Sequence, residues 1–186
     1  MNFEWTQCPI PGLYLSRNTI HSDSRGTFSK VIAQLPHDQD PLRIDEIYWS
    51  ESNESVVRGL HFQLPPLHGR KIVFVTQGQV RDFVLDMRVG SPMFHKHHEV
   101  LLSRDSGAML IPAGCAHGFE VLSGPAIVNY AQEGPYNKDL DSGIRVSSTS
   151  ISIQTRDPEI SERDSQLPSL NEFTSPFIFD GEMNAH

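Results

Sequence analysis

Apolar residues along this chain come in short runs rich in Val, Ile and Phe, and Gly or Pro punctuates almost every one of them. Runs of that length with period-2 alternation predict β-strands joined by turns. The candidate strands cover residues 12–16, 27–32, 44–50, 56–63, 71–77, 79–87, 95–102, 108–111, 117–121 and 126–130. Ten short strands in one chain predict an all-β fold, a jelly-roll barrel of the cupin type. After Ser147 the composition turns to Ser, Thr, Asp and Glu. There the pattern predicts a loop, a short helical segment over 161–166, and a peripheral or poorly ordered tail over roughly 170–186.

One stretch can be read to the level of register. The runs 73–76 and 79–82 flank the pair Gln77-Gly78, which predicts a two-residue hairpin loop. Val75 then faces Val80, Val73 faces Asp82 and Lys71 faces Val84, all on one side of the hairpin. Lys71 and Asp82 become diagonal neighbours and are expected to form a partly buried couple, with a surface ion pair as the alternative.

Length and composition narrow the function. A chain of 186 residues without a composition break suits a single domain over 1–186. The net charge of −8 leaves no basic stripe for nucleic acid, although a few arginines suffice for a small diphosphate. No apolar run is long enough to span a bilayer, and the start Met1-Asn2-Phe3-Glu4-Trp5 lacks the regions of a signal peptide, so a cytoplasmic protein is expected. Cys8 and Cys115 are too few for a disulfide framework and are read as reduced thiols.

The chemistry concentrates in two Gly-punctuated strands, Val57-Arg58-Gly59-Leu60-His61-Phe62-Gln63 and Pro112-Ala113-Gly114-Cys115-Ala116-His117-Gly118-Phe119. Histidine titrates nearest neutral pH, so His61 inside a barrel is a natural proton carrier, or else a hydrogen-bonded core residue. Strict alternation puts Gly59, His61 and Gln63 on one face and turns Arg58 away, unless Gly59 marks a bulge that re-aims it. His117 sits among glycines that let backbone approach a ligand, with a satisfied core histidine as the alternative. His95, His97 and His98 look like a metal cluster by composition, but a strand splits them between two faces. Metal-binding cupins use a His-x-His pair. Here Gln63 stands where the second ligand would be, so no metal is expected.

The order RGLHFQ-x-PP, then Gly69-Arg70-Lys71, then P-x-G-x-x-H-G-F, with Asp23-Ser24-Arg25-Gly26-Thr27-Phe28 upstream, resembles the nucleotide-sugar 3,5-epimerase family. The resemblance runs from about Phe3 to Arg145 and, on fewer residues, to Pro168. It implies inversion at C3 and C5 of a nucleotide-linked 4-keto-6-deoxyhexose, with no cofactor, because the ketone already acidifies both carbons. It assigns His61 as base, Asp164 as the carboxylate behind it, Lys71 as the charge on the enolate oxygen, and Tyr130 as acid on the opposite face, where an aromatic plug is the alternative. It also implies that Arg58 and His117 contact the diphosphate. Tyr136 is expected against the base or sugar, and Arg25 with Phe28 in the neighbouring subunit's site, which implies a homodimer with strand exchange. Gln63 and Asp82 complete the expected substrate-binding set.

Several positions depart from the family pattern. The loop over 48–55 is short and lacks a Gln-Asp-Asn run, Lys30 stands where many members have Glu, Pro135 replaces the first of a Tyr-Tyr pair, and His68 replaces a glutamine. These departures surround the pocket and point to the same chemistry on a different nucleotide sugar, carried by dTDP, CDP or GDP, or to inversion at one carbon only. A non-catalytic sugar-nucleotide binder and a ketoisomerase on the same fold are the readings from other classes.

Overall fold

The computed structural model describes residues 4–181 and contains twelve strands and one short α-helix. The strands are β1 (Trp5–Gln7), β2 (Tyr14–Ser16), β3 (Thr19–Asp23), β4 (Gly26–Lys30), β5 (Glu46–Ser52), β6 (Val56–Gln63), β7 (Lys71–Asp86), β8 (His97–Ser103), β9 (Met109–Ile111), β10 (Cys115–Gln132), β11 (Asp141–Gly143) and β12 (Glu159–Ile160), and the helix is α1 (Glu162–Ser165). Ten strands form one sheet that runs β1-β2-β9-β7-β10-β6-β11, with β5 added to β10, β8 to β7 and β12 to β6. β3 and β4 make a separate two-stranded hairpin. The all-β jelly-roll expectation holds.

The two long strands organise the barrel. β7 pairs β9 near its start and β8 over its second half, while β10 pairs β6 near its start and β5 over its second half. Together β7 and β10 thread both walls. The hairpin expected at Gln77-Gly78 does not form: residues 71–86 are one continuous strand, and its partner throughout is β10. Gly78 has φ +74, and a Cβ there would lie 2.6 Å from the Ser123 carbonyl oxygen. A glycine with positive φ inside a strand pattern serves a bend as well as a turn, and here β10 shifts register beside it and β7 bends without reversing. Lys71 therefore faces Gln132 and Ile111, Asp82 faces Phe119 and Val100, and the expected Lys71–Asp82 couple does not exist. The separate strands expected over 117–121 and 126–130 are likewise one strand, β10.

Alternation along β7 gives two apolar faces. Val80 and Val84 point into the barrel with Phe119, Val128 and Tyr130, whereas Phe83, Leu85 and Met87 point outward. The outward face is covered by the C-terminal segment through Ile144, Val146, Ile151, Leu170 and Phe177. The tail up to Phe177 is therefore a core element and not peripheral, a correction whose physical reason is the apolar outer face it covers. Residues beyond 181 lie outside the described region. A buried ion pair fastens the same segment: Arg81 bonds Glu120 at 2.7 Å and the Ser152 carbonyl, and Glu120 accepts from the Gln154 and Thr155 N–H groups at 3.0 and 2.5 Å. The strap then pairs in parallel with β6 as β12 and enters α1, whose N-cap Ser161 accepts from the Asp164 N–H at 3.1 Å. The short helix falls where the sequence predicts it.

Candidate active site

The site opens at the mouth of the barrel, where β5, β6, β7 and β10 enclose a cavity of about 810 Å³. β6 supplies Arg58, His61 and Gln63 to its lining. In the ladder His61 faces His117 and Arg58 faces Phe119, so Gly59 and Leu60 together oppose Gly118 alone. That extra residue is a β-bulge, and it turns Arg58 onto the same side as His61, as the glycine suggests. Gly59 has φ +109, a Cβ on it would lie 2.6 Å from Gly118 Cα, and a Cβ on Gly118 would lie 2.4 Å from the Arg58 carbonyl oxygen. Both glycines are required by this close approach.

The bulge also frees the Gly59 N–H, which donates to Asp164 Oδ2 at 3.0 Å. The other carboxylate oxygen of Asp164 lies 2.7 Å from His61 Nε2. Burial alone would raise the Asp164 pKa, but the His61 bond and charge, the Gly59 N–H and the Arg163 charge outweigh it and hold the carboxyl below its ordinary value. An ionised carboxylate behind an imidazole fixes its tautomer and favours its protonated form.

His117, on β10, lines the cavity but is turned toward Asp82, both of whose oxygens lie 2.9 Å from its Nε2. Asp82 is fully buried behind His117 and is not among the cavity-lining residues, so its expected contact with substrate is replaced by one with His117. Burial raises its pKa, and the His117 charge and hydrogen bond offset part of that rise.

Tyr130 lies on the C-terminal half of β10, stacked on Tyr48 at 4.8 Å between ring centroids and 15° between planes, with the His117 ring edge-on at 5.9 Å. Burial drives the Tyr130 pKa far up, so the phenol keeps its proton. Lys71 opens β7 and faces into the same space. Burial lowers its pKa to about 8, and the Asp141 charge opposes that fall. Arg58 is braced by Ser52 Oγ at 2.8 Å and the Glu51 carbonyl at 3.3 Å.

Tyr136 lines the cavity, and its hydroxyl donates to Asp141 Oδ2 at 3.2 Å. The Gln63 carboxamide is bonded at both ends to the Pro135 and Asn137 backbone. Arg25 and Phe28 do not line this chain's cavity: they sit on the exposed β3–β4 hairpin, where Arg25 bonds Asp23 at 2.6 Å. His97 bonds Ser150 and Glu99, and among the described residues no three His, Cys, Asp or Glu side chains are grouped to hold a metal ion.

Sequence reasoning missed Tyr48, Asp141 and Arg163, all of which line the cavity. Alternation in β5 would have pointed to the wrong face for the first, since the apolar Ile47 and Trp49 are the residues 74% and 69% exposed while Tyr48 stacks on Tyr130. Asp141, which accepts from Arg163 at 2.7 Å, carries no sequence signal of its own.

An imidazole backed by a carboxylate, a protonated phenol and an ammonium around one cavity can remove, hold and return a proton beside a carbonyl. Barrel and site together suit an isomerase that moves a proton beside a carbonyl. The family model described as dTDP-4-dehydrorhamnose 3,5-epimerase matches residues 7–172, and the chain belongs to that family. It is 36% identical over 177 residues to the dTDP-4-dehydrorhamnose 3,5-epimerase of Sinorhizobium fredii, covering 91% of each protein. To the enzyme of that name from Escherichia coli it is 36% identical over 160 residues, covering 82% of this chain and 86% of the other. Among solved structures, a 4-keto-6-deoxy sugar epimerase from the novobiocin biosynthetic gene cluster of Streptomyces spheroides superposes with a TM-score of 0.86 at 28% identity, covering 92% of this chain and 89% of that one. The Legionella pneumophila dTDP-6-deoxy-D-glucose-3,5-epimerase in complex with dTDP-4-keto-L-rhamnose gives 0.83 at 28% identity, covering 98% and 97%.

Proposed function

We propose that this epimerase inverts C3, C5 or both of a dTDP-linked 4-keto-6-deoxyhexose, using its own side chains and no cofactor. The observation that carries this reading is the 2.7 Å pair of His61 Nε2 with Asp164 Oδ1 at the cavity wall, its second oxygen held by the Gly59 N–H. His61 takes the proton from the carbon beside the ketone. The Lys71 ammonium faces the developing enolate oxygen, where a preorganised charge stabilises the transition state most. Tyr130 returns a proton from the other wall, completing inversion. Arg58 and His117 take the diphosphate, and Tyr136 packs against the sugar or base.

A homodimer fits the same reading. β5 pairs only β10 and shows Ile47 and Trp49 to solvent, and the β3–β4 hairpin displays Arg25 and Phe28 away from its own cavity, free to complete the site of a second copy. We place the protein in the cytoplasm, where the unpaired thiols of Cys8 and Cys115 stay reduced. The test is incubation with dTDP-, CDP- and GDP-linked 4-keto-6-deoxyhexoses in D2O, followed by NMR. Deuterium should enter C3, C5 or both of the dTDP sugar with inverted configuration and an unmoved carbonyl. Preferred turnover of a CDP or GDP sugar, or a carbonyl that migrates, would sink the proposal.

A further inference from the structure

One polar side chain of the cavity wall is bonded to backbone at both ends of its carboxamide. Gln63 follows His61 by two residues on β6, shares its face, and is 8% exposed. Its Nε2 donates to the Pro135 carbonyl at 3.1 Å, and its Oε1 accepts from the Asn137 N–H at 2.7 Å. The two groups it holds belong to the residues before and after Tyr136.

Tyr136 needs such a hold. Its side chain is 56% exposed, and it lies in an irregular segment with Gly134 at φ +78, where neither a ladder nor a packed core fixes the backbone. Around it the bonds converge: Glu46 Oε1 accepts from the Tyr136 N–H at 2.8 Å, Gln132 Nε2 donates to the Gly134 carbonyl at 3.3 Å, and Asp45 Oδ2 accepts from the Gly134 N–H at 2.9 Å. Of these, only the Gln63 carboxamide grips both neighbours of Tyr136, and it does so from the strand that carries His61. A rigid strand thus sets a loop side chain at a fixed offset from the reacting centre.

We propose that Gln63 is a positioning residue: it fixes Tyr136 at the cavity by clamping the backbone on either side, and it acts on substrate only through Tyr136. This rests on the epimerase reading above for its kinetic consequence, but the clamp itself needs no substrate to be measured.

Hydrogen exchange and a double-mutant cycle test it together. In Gln63→Leu the Asn137 amide should exchange about tenfold faster, since its acceptor is gone, while amides of β6 keep their protection. Gln63→Glu keeps an acceptor and should keep Asn137 protected. KM for the keto sugar should rise about tenfold in Gln63→Leu with kcat within about twofold, and Gln63→Leu combined with Tyr136→Ala should behave as Tyr136→Ala alone. Gln63→Ala repeats every arm should leucine disturb the barrel. Unchanged Asn137 exchange overturns the clamp, and effects that multiply in the double variant overturn action through Tyr136. If the parent protein turns over no keto sugar, the functional reading fails while the exchange data still decide the clamp.

Discussion

Two histidine–aspartate pairs face each other across the β6–β10 ladder, His61 with Asp164 and His117 with Asp82, and they differ in everything but chemistry. His61 is 29% exposed to the cavity and its carboxylate 5%, whereas His117 and Asp82 are 5% and 0% exposed. Asp164 arrives from the C-terminal helix and gives one oxygen to the imidazole and the other to the Gly59 N–H. Asp82 stands on β7 and directs both oxygens at one nitrogen. The consequence is electrostatic. Added donors hold the Asp164 carboxyl below its ordinary pKa, while burial pushes Asp82 the other way. The first pair presents a half-buried imidazole to the cavity, and the second holds a buried ring in the wall.

Removing each pair in turn breaks the comparison, and the largest effect is expected at His61. His61→Ala should lower kcat by about 10³ or more and abolish deuterium uptake in D2O, as loss of a general base demands. Uptake at the parent rate would transfer the base role elsewhere. Tyr130→Phe comes next: inversion should fall by about 10²–10³, while His61 still forms the enolate and returns label to the original face. Inversion at the parent rate would show that Tyr130 is not the acid. Asp164→Asn should depress kcat by about 10² with KM nearly unchanged, because only the histidine's tautomer and charged form lose support. Asp82→Asn should do the reverse, raising KM about tenfold with kcat held, since it loosens a binding residue; a larger kcat effect than in Asp164→Asn would invert the roles of the pairs.

The smallest effect is one of pH. Burial lowers Lys71 to about 8, so its ammonium is present below that value and lost as pH rises through it. Steady-state measurements should show kcat/KM falling by about tenfold per unit at higher pH, and Lys71→Arg should remove that limb, because a guanidinium stays charged. A limb that persists in the arginine variant belongs to another group.

Much of this site was legible residue by residue. A glycine between Arg58 and His61 signalled the bulge, because only a bulge lets residues three apart on a strand share a face. The C-terminal helix was legible as a short helical segment over 161–166. The Gln77-Gly78 pair misled for a physical reason: the same positive φ that closes a two-residue turn also bends a continuous strand, and which one forms depends on β10, some fifty residues away. Residues reached through irregular chain, Asp141 and Arg163, had no periodicity to betray them. The family resemblance, not any pattern, placed Asp164 behind His61.

The C-terminal strap both covers the outer face of the barrel and delivers Asp164, and this ties activity to the order in which the chain is made. A nascent chain that has emerged only as far as β11 holds His61, Lys71 and Tyr130 but no partner for its base. The Asp164 carboxylate arrives only once the segment clipped by Arg81 and Glu120 has been made and has docked. Products of early termination or of proteolytic trimming before residue 164 would accordingly carry the His61 imidazole without the carboxylate that orients it, and would expose the apolar outer face.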